Sequence, residues 1–361
     1  MTTQVSEPSL DLSTAAAFAE RLLGIINSGA LSLMVSLGHR ARLFDALADL
    51  PQATSQAIAE AANLNERYVR EWLKAMVVGR IVDYDPVKKT YHLPAEHSVF
   101  LTRAATADNM ATFAQYIPVL ASVEDKILDC FQNGGGVPYS EFSRFHQVMA
   151  EDSGQTIVAA LEDHILPLVP NLQDRLERGI DVLDVGCGSG RAMNKLASLF
   201  PNSRFTGYDL SETAIATAIA EAQEKQLNNA RFQVQDTTQL GEVEQYDWIT
   251  TFDAVHDQAR PDWVLQNIYQ ALRPGGVYLM QDIHASTAVE GNLEHPVAPL
   301  LYTVSCLHCM TVSLAAGGLG LGTMWGQEKA LELLQEAGFE QVEIRQLAHD
   351  VMNDYYITYK H

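Results

Sequence analysis

A glycine-rich turn follows a short apolar run in the second half of the chain. In VLDVGCGSGR, Asp184 is followed by Gly186, Gly188 and Gly190. A strand that leads through such a turn into a helix is typical of nucleotide sites, because glycines let the backbone approach a ligand at the helix N-terminus. The dinucleotide fingerprint is G-x-G-x-x-G, whereas the spacing here is G-x-G-x-G. This spacing leans away from a dinucleotide, and the carboxylate of Asp184 disfavours a pyrophosphate.

Two further carboxylates end the next two apolar runs. Asp209 ends the second predicted strand, in TGYDL, where it can accept hydrogen bonds from both ribose hydroxyls. Asp236 ends the third predicted strand, in QVQD, where it can accept from an adenine amino group. Hydrogen bonds to a charged group contribute about 1.5–3 kcal/mol each. For either residue alone, helix capping or a solvated strand end is an equally good interpretation. Together they favour a ligand with an adenosine and a cationic, amino-acid-like end, which S-adenosylmethionine fits; its amino group could use the region of Asp184 and Gly186.

At these residues the sequence resembles the class I S-adenosylmethionine-dependent methyltransferases. The matching motifs are, in order, DVLDVGCGSGR, GYDLSE, FQVQD, FDAVHD and ALRPGGVYLMQD, followed by two closing strands. The resemblance implies an α/β fold, a Rossmann-like seven-stranded sheet whose last strand is antiparallel. The residues predicted to bind the cofactor are Asp184, Gly186, Cys187, Gly188, Gly190, Asp209, Leu210, Asp236, Thr237, Phe252 and Asp253. We interpret Cys187 as a small loop residue and not as a nucleophile.

The whole chain is also similar to small-molecule O-methyltransferases of the plant caffeate and bacterial polyketide type. In those enzymes a His-Asp-Trp motif after the fourth strand supplies the general base. The corresponding stretch here is His256-Asp257-Gln258, so the tryptophan is replaced. The carboxylate that holds such a base matches Asp282 in LMQDI. A phenol has a pKa of about 10 and a histidine of about 6.5, so proton transfer concerted with methyl transfer is favoured. The alternative is that His256 only caps or packs beside the cofactor loop.

Repeated strand–helix units from Ile180 to Ile283 predict a parallel sheet covered on both faces. A helix over 327–337 and the strands QVEIRQL and DYYITYK follow. The interruption at 284–325 is interpreted as a lid or pocket wall. Within it, the glycines of SLAAGGLGLGT at 313–323 predict mobility without ligand, and Trp325 either lines an apolar acceptor pocket or belongs to the core. Cys306 and Cys309 have the spacing of half a zinc site, but buried helix residues are favoured and no metal is predicted.

The N-terminal part predicts helical structure over 14–50 and then a winged helix. Thr54 and Ser55 can start a short helix, Asn65 can cap a second one that runs to about Val78, and RIVDY and TYHL can form a hairpin. The second helix mixes basic and acidic side chains, which favours packing or dimerisation over DNA binding. The predicted domains are a helical winged-helix domain over 1–107, a helical connector over 108–178 and the methyltransferase domain over 179–361.

Composition narrows the class of protein. The 361 residues contain 24 Lys and Arg against 45 Asp and Glu, a formal net charge of −21, which argues against nucleic acid as a main partner. The uncharged run from Leu22 to Gly38 is slightly short for a membrane span, so a buried or subunit-interface helix is expected. We predict a cytoplasmic homodimer with a small-molecule methyl acceptor. A cofactor-binding regulator that uses the winged helix on DNA, and an enzyme with an N, S or C acceptor, remain as alternatives.

Overall fold

A computed structural model describes residues 10–361, which form two compact units, the first ending at Pro118 and the second spanning Val119–His361. The first unit contains a long helix, a helix-turn-helix and a two-stranded hairpin, as the sequence predicts. Its elements are α1 (Leu12–Arg40), α2 (Leu43–Ala48), α3 (Ser55–Ala62), α4 (Glu66–Val78), β1 (Asp83–Asp85), β2 (Thr90–His92) and α5 (Ala95–Leu101).

Local side-chain caps explain where the two helices of the winged helix begin. Thr54 accepts from the backbone N–H of Ala57 at the start of α3, and Asn65 accepts from that of Arg67 at the start of α4. The predicted helix start at Thr54 and Ser55 and the predicted cap at Asn65 are confirmed. The apolar side of α4, including Trp72, Leu73 and Met76, packs into the core of this unit.

Most of helix α1 is exposed to solvent in the single chain. Its large apolar side chains that lie open include Phe18, Leu22, Leu23, Ile25, Ile26, Leu33 and Leu37. The prediction of a buried helix is therefore wrong for most of this run, because only its C-terminal end packs on the winged helix. The alternative, that this apolar helix lies at a subunit interface, stays a prediction.

Helix α6 (Tyr116–Ala121) contains the point where the first unit ends and the second begins. The rest of the second unit consists of helices and a single large sheet. Its elements are α7 (Glu124–Asn133), α8 (Phe145–Ser153), α9 (Leu172–Arg178), β3 (Asp181–Val185), α10 (Arg191–Leu199), β4 (Arg204–Asp209), α11 (Glu212–Glu224), β5 (Ala230–Val234), β6 (Tyr246–Phe252), α12 (Pro261–Ala271), β7 (Leu272–Ile283), α13 (Ala298–Val304), α14 (Met310–Ala315), α15 (Gly326–Ala337), β8 (Val342–Leu347) and β9 (Asp350–Tyr359).

The seven strands lie in the order β5-β4-β3-β6-β7-β9-β8. Strands β3 to β7 pair in parallel, and β9 pairs antiparallel with both β7 and β8, so the predicted sheet is confirmed. Two hydrophobic clusters, one on each face, bury the sheet between its helices. The carboxyl ends of the parallel strands meet at one edge, where sheets of this kind bind ligands.

The segment 284–325, called the lid below, is more regular than the sequence suggests. It contains α13, a π-helical turn at Ser305–Cys309 and α14 before the glycine-rich stretch. The expectation of an irregular insertion is wrong for this part, because its apolar side chains pack as helices with Leu301 and Met324 in a small core of their own. The glycine stretch is held to the rest of the unit: Ser313 Oγ donates to the carbonyl of Gln258 at 2.8 Å, and the N–H of Leu319 to that of Ala259 at 2.9 Å.

Candidate active site

The glycine turn after β3 brings backbone to the carboxyl edge of the sheet. Gly186, Gly188 and Gly190 all have positive φ, and Gly190 precedes the first turn of α10. A Cβ on Gly190 would lie 2.5 Å from the ring of Phe232, whereas a Cβ on Gly188 would meet no atom within 4 Å. Gly190 is therefore required by packing, while Gly188 leaves the backbone open to a ligand.

Asp209, at the end of β4, fixes this turn. Its Oδ2 accepts from the N–H of Gly188 and its Oδ1 from that of Ser211, both at 2.8 Å. Each oxygen has a second lone pair, so the carboxylate can still accept from a diol. Asp236 caps the short turn at Thr237–Gln239 through Oδ1, which accepts from the N–H of Thr238 at 2.9 Å. Capping and ligand binding are thus compatible at both residues.

Asp184 is a buried carboxyl group beneath the glycine turn. Its side chain accepts from the Thr250 hydroxyl at 2.8 Å, across the pairing of β3 with β6. Burial, with a smaller contribution from the charge of Asp209, raises the pKa of Asp184 to about 7, although the hydrogen bond from Thr250 opposes the rise. A cation next to Asp184 would relieve this cost, so the position suits an ammonium group.

The other residues predicted at the cofactor differ in exposure. Leu210 is exposed, Thr237 is buried, and Phe252 packs at the edge of the core. Burial raises the pKa of the Cys187 thiol far above its ordinary range, which disfavours a nucleophilic thiolate. Asp253 follows β6 with φ of 53°, a conformation that is uncommon for a residue other than glycine and that is found at functional sites.

His256 and Asp282 form a buried pair where β6 and β7 end. His256 Nδ1–H donates to Asp282 Oδ1 at 2.8 Å, and the two side chains are 2% and 0% exposed. Burial alone lowers the pKa of His256, but the charge of Asp282 and its hydrogen bond, together with the effect of Cys309, outweigh burial, so the pKa lies well above its ordinary value. This contact leaves Nε2 as the nitrogen that can exchange a proton with a ligand.

Two lid residues face His256. The Cys309 thiol is close enough to the His256 ring for the two groups to shift each other's pKa, and its Sγ is 3.6 Å from Nδ1 of His308. His308 is fully buried and stacks on Phe145 with ring centroids 3.4 Å apart. Burial lowers the pKa of His308 well below its ordinary value, so this ring is neutral. Its Nε2 has no hydrogen-bond partner within the described residues.

His256 and two neighbouring carboxylates are also residue types that can bind a metal ion. One ligand atom each from Asp253, His256 and Asp282 can be chosen within 4.8 Å of one another. However, His256 Nδ1 and Asp282 Oδ1 already share a proton at 2.8 Å, and a cation would have to break that bond. The geometry favours an acid–base pair.

Sequence reasoning missed a group of aromatic residues from the predicted connector. Tyr139 stacks on His146 at 4.5 Å and meets His308 edge to face at 4.9 Å. Burial raises the pKa of the Tyr139 hydroxyl, and the charges of Asp257 and Asp209 raise it further, so this hydroxyl lies within electrostatic range of both carboxyl groups. The sequence between 134 and 146 carries no motif that points to this placement; its glycines and aromatics were the only available signal.

These surroundings fit S-adenosylmethionine. Asp184, Asp209, Asp253 and Asp257 together make the pocket edge acidic, and burial raises the pKa of Asp253 to about 6 and of Asp257 to about 7. Asp253 Oδ1 is buried without a hydrogen-bond partner in the part of the chain that is described. A ligand that carries a sulfonium and an ammonium brings further positive charge beside these carboxyl groups, and the open backbone at Gly188 leaves room for it.

Fold and site together define a class I methyltransferase domain behind a winged helix. Residues 176–346 match the methyltransferase domain family, and residues 29–103 match the Rv2258c-like winged HTH domain family. The C-terminal domain is therefore similar to the methyltransferase domain family, and the N-terminal domain is similar to the Rv2258c-like winged helix-turn-helix family. S-adenosylmethionine is the cofactor of this class.

Curated relatives match only part of the chain. A malonyl-[acyl-carrier protein] O-methyltransferase of Bacillus cereus is 29% identical over 167 residues, 43% of this chain and 54% of that protein. A trans-aconitate 2-methyltransferase of Deinococcus radiodurans is 33% identical over 106 residues, 28% of this chain and 36% of that protein. The chain thus spans about half or less of the length of these relatives.

Solved structures match over nearly the whole chain. Human N-acetylserotonin methyltransferase in complex with S-adenosylmethionine has a TM-score of 0.65 and 19% identity, covering 98% of this chain and 99% of that one. An O-methyltransferase family protein from Burkholderia thailandensis has a TM-score of 0.68 and 13% identity, covering 95% and 98%. At these identities the likeness shows the fold.

Proposed function

We propose that the protein transfers a methyl group from S-adenosylmethionine to an oxygen of a small, partly apolar metabolite, with His256 as the general base. The observation that carries this proposal is the buried His256–Asp282 pair beside the glycine turn. S-adenosylmethionine supplies an electrophilic methyl group when it is bound. Every other part of the reaction is done by the protein, which must hold the donor, orient the acceptor and accept its proton.

The cofactor residues divide the donor between them. We assign the methionine end to the region of Asp184 and Gly186, the ribose hydroxyls to Asp209 and the adenine amino group to Asp236. The assignment is supported by their common position at the carboxyl edge of the sheet and by the lone pairs that remain at Asp209 and Asp236. Thr237, Leu210 and the other predicted residues line the same edge.

His256 accepts the proton of the acceptor as the methyl group leaves sulfur. Asp282 holds Nδ1–H, so the lone pair of Nε2 is directed away from it and toward the lid. Because the pKa of His256 is raised, the neutral base is depleted near neutral pH, and we expect turnover to rise as the pH rises above the ordinary histidine range. Positioning of donor and acceptor supplies much of the remaining rate.

The test is turnover against cofactor binding in His256→Ala. Methyl transfer is measured as S-adenosylhomocysteine release with a panel of phenols and carboxylic acids, since curated relatives are named for carboxylate acceptors. The variant is expected to bind S-adenosylhomocysteine like the parent and to lose about 10²–10⁴ in kcat. The matched control is His92→Ala, an exposed histidine of β2. Normal turnover of the true acceptor by His256→Ala would end the general-base assignment.

We also propose a cytoplasmic homodimer formed through α1. Helix α1 and the run Ala298–Ala315 are long and apolar enough to cross a membrane, but length and composition alone are weak evidence for a membrane span. In the most apolar 18-residue stretch of α1, only 17% is buried. An exposed apolar face of this length needs a cover, and a second α1 supplies one. Replacing Leu22, Ile25 and Ile26 with Gln is expected to give monomers by light scattering. A parent that is monomeric, or that floats with lipid vesicles, would contradict the proposal.

The regulator alternative keeps its own test. On α4, Arg67 and Lys74 pair with Glu71, and Arg70 pairs with Glu66, so each base of that helix has an acidic neighbour. This neutralisation favours the packing role over contact with phosphates. Sharp, sequence-specific binding in an electrophoretic shift assay at physiological salt would promote the regulator.

A further inference from the structure

The lid contributes a hydrogen bond to the carboxylate that holds His256. Trp325, the last residue of the lid, is 4% exposed, and its Nε1–H donates to Asp282 Oδ1 at 2.9 Å. The same oxygen accepts from His256 Nδ1–H at 2.8 Å and from the N–H of Ile283 at 2.9 Å. Asp282 Oδ2, by contrast, is buried without a hydrogen-bond partner in residues 10–361. Three donors on one oxygen and none on the other fix the plane of the carboxylate.

Of these donors, only Trp325 can set the orientation independently. The N–H of Ile283 belongs to the residue next to Asp282 and moves with it, and His256 is the group to be oriented. Without Trp325, the carboxylate could turn so that its unpartnered oxygen exchanges places with the bonded one, and the direction of His256 Nδ1–H would follow.

The backbone at Trp325 and just after it is fixed by hydrogen bonds to residues 285–287. Its carbonyl accepts from the Thr287 hydroxyl at 2.7 Å, and the N–H of Gln327 donates to the carbonyl of Ala285 at 2.8 Å. Gly326, between them, has φ of 82°, and a Cβ there would lie 2.0 Å from the backbone nitrogen of Thr287. The approach of these two backbones depends on glycine, and it places the indole against the hydrophobic core.

We propose that Trp325 is a positioning residue that acts through Asp282 to fix the direction and the proton affinity of His256. The proposal rests on the proposed function for its effect on turnover. Its physical content is independent of turnover: a neutral N–H bonded to a buried carboxylate keeps that carboxylate aimed at the imidazole.

The test is Trp325→Phe, which keeps an aromatic ring and removes the N–H. The His256 ring is followed by NMR of protein labelled with ¹⁵N-histidine, and its signals are identified by their loss in His256→Ala. In the parent, the Nδ1 proton is expected to be shifted downfield by Asp282, with a ring pKa above the ordinary value. In Trp325→Phe this proton signal is expected to broaden or vanish and the pKa of His256 to fall by about half a unit or more, because the carboxylate is no longer held in line with Nδ1–H and stabilises the imidazolium less. Turnover is expected to fall about tenfold with the KM for S-adenosylmethionine unchanged.

The matched control is Trp248→Phe. Trp248 is also fully buried, and its Nε1 has no hydrogen-bond partner among the described side chains and backbone, so this change removes ring volume without removing a bond. An unchanged His256 signal in Trp325→Phe would overturn the proposal, as would a raised pKa, which would mean that Trp325 only screens Asp282. If Trp325→Phe does not fold, Thr287→Val replaces it, since it keeps the indole and releases its backbone anchor.

Failure of the two proposals can be told apart. If His256→Ala keeps full turnover, the general base is wrong, yet the NMR comparison of Trp325→Phe with the parent still decides whether the indole positions the imidazole. If the NMR signals respond and turnover does not, Trp325 positions a histidine that is not the base.

Discussion

The proposed cofactor side and the proposed acceptor side of the site are built in different ways. On the cofactor side, one continuous turn after β3 is fixed by a single carboxylate, Asp209, and by packing around Gly190. On the acceptor side, the residues come from separate elements, and Trp325 lies 43 positions after Asp282 in the sequence. They are His256, Asp282, Cys309 and Trp325. A site of the first kind is carried by local backbone geometry. A site of the second kind depends on long-range packing, so it should be the part that substitutions can alter without loss of the cofactor.

The largest expected separation of the two sides is in Asp282→Asn. The amide cannot hold Nδ1–H of His256 as a carboxylate does, so kcat should fall about 10³-fold, equivalent to about 4 kcal/mol of transition-state stabilisation. Binding of S-adenosylhomocysteine, measured by calorimetry, should stay within threefold of the parent, about 0.7 kcal/mol. Equal losses in both would show that the two sides are one structural unit.

Asp184→Asn tests the cofactor side alone. In the folded parent the pKa of Asp184 is raised to about 7. The protonated Asp184 therefore stabilises the folded protein below the unfolded pKa of about 4, and this contribution to the free energy of unfolding is lost as the pH rises toward 7. Asparagine does not titrate, so its contribution does not change with pH. The free energy of unfolding of the variant should therefore rise relative to that of the parent by about 3 kcal/mol between about pH 5 and pH 8.

The same variant should bind S-adenosylmethionine about tenfold more weakly, because the ammonium loses its counter-charge. Denaturant unfolding across pH, with cofactor titration, gives both numbers. A parent whose stability is flat over this range would mean that Asp184 is not held in the neutral form.

His308→Phe tests the acceptor side alone. Phenylalanine keeps the stack on Phe145 and removes a buried nitrogen that lacks a partner within the described chain. The free energy of unfolding should therefore stay equal or rise by about 1 kcal/mol. If Nε2 of His308 contacts the acceptor, the KM for the acceptor should rise about tenfold while cofactor affinity is unchanged. An unchanged KM would assign His308 to packing.

The smallest effect is expected from chelation. Because Asp282 and His256 are bonded to each other, treatment with EDTA should change turnover by less than about twofold, within the spread of replicate assays. A large loss of turnover that Mg²⁺ or Zn²⁺ restores would show that His256 and Asp282 belong to a metal centre and would contradict the acid–base assignment.

The sequence was most informative where function depends on consecutive residues. The glycine turn and the strand-end carboxylates Asp209 and Asp236 could be placed because strand ends in a parallel sheet meet at one edge. The bond between Trp325 and Asp282 could not, because periodicity carries no information about which distant indole reaches which carboxylate. The same limit applies to Tyr139, whose connector shows helical patterning but not the direction in which it packs.

The π turn at Ser305–Cys309 gives the lid an unusual kind of variability. A π turn holds one more residue than an α turn, so each residue beyond it is rotated by about 100° relative to a continuous α-helix. Gain or loss of a single residue here would bring different side chains to face His256 while both ends of the lid stay anchored. If the lid lines the acceptor pocket, as the sequence predicts, insertions and deletions here would change acceptor preference, and alignments that forbid gaps inside helices would misassign the residues involved.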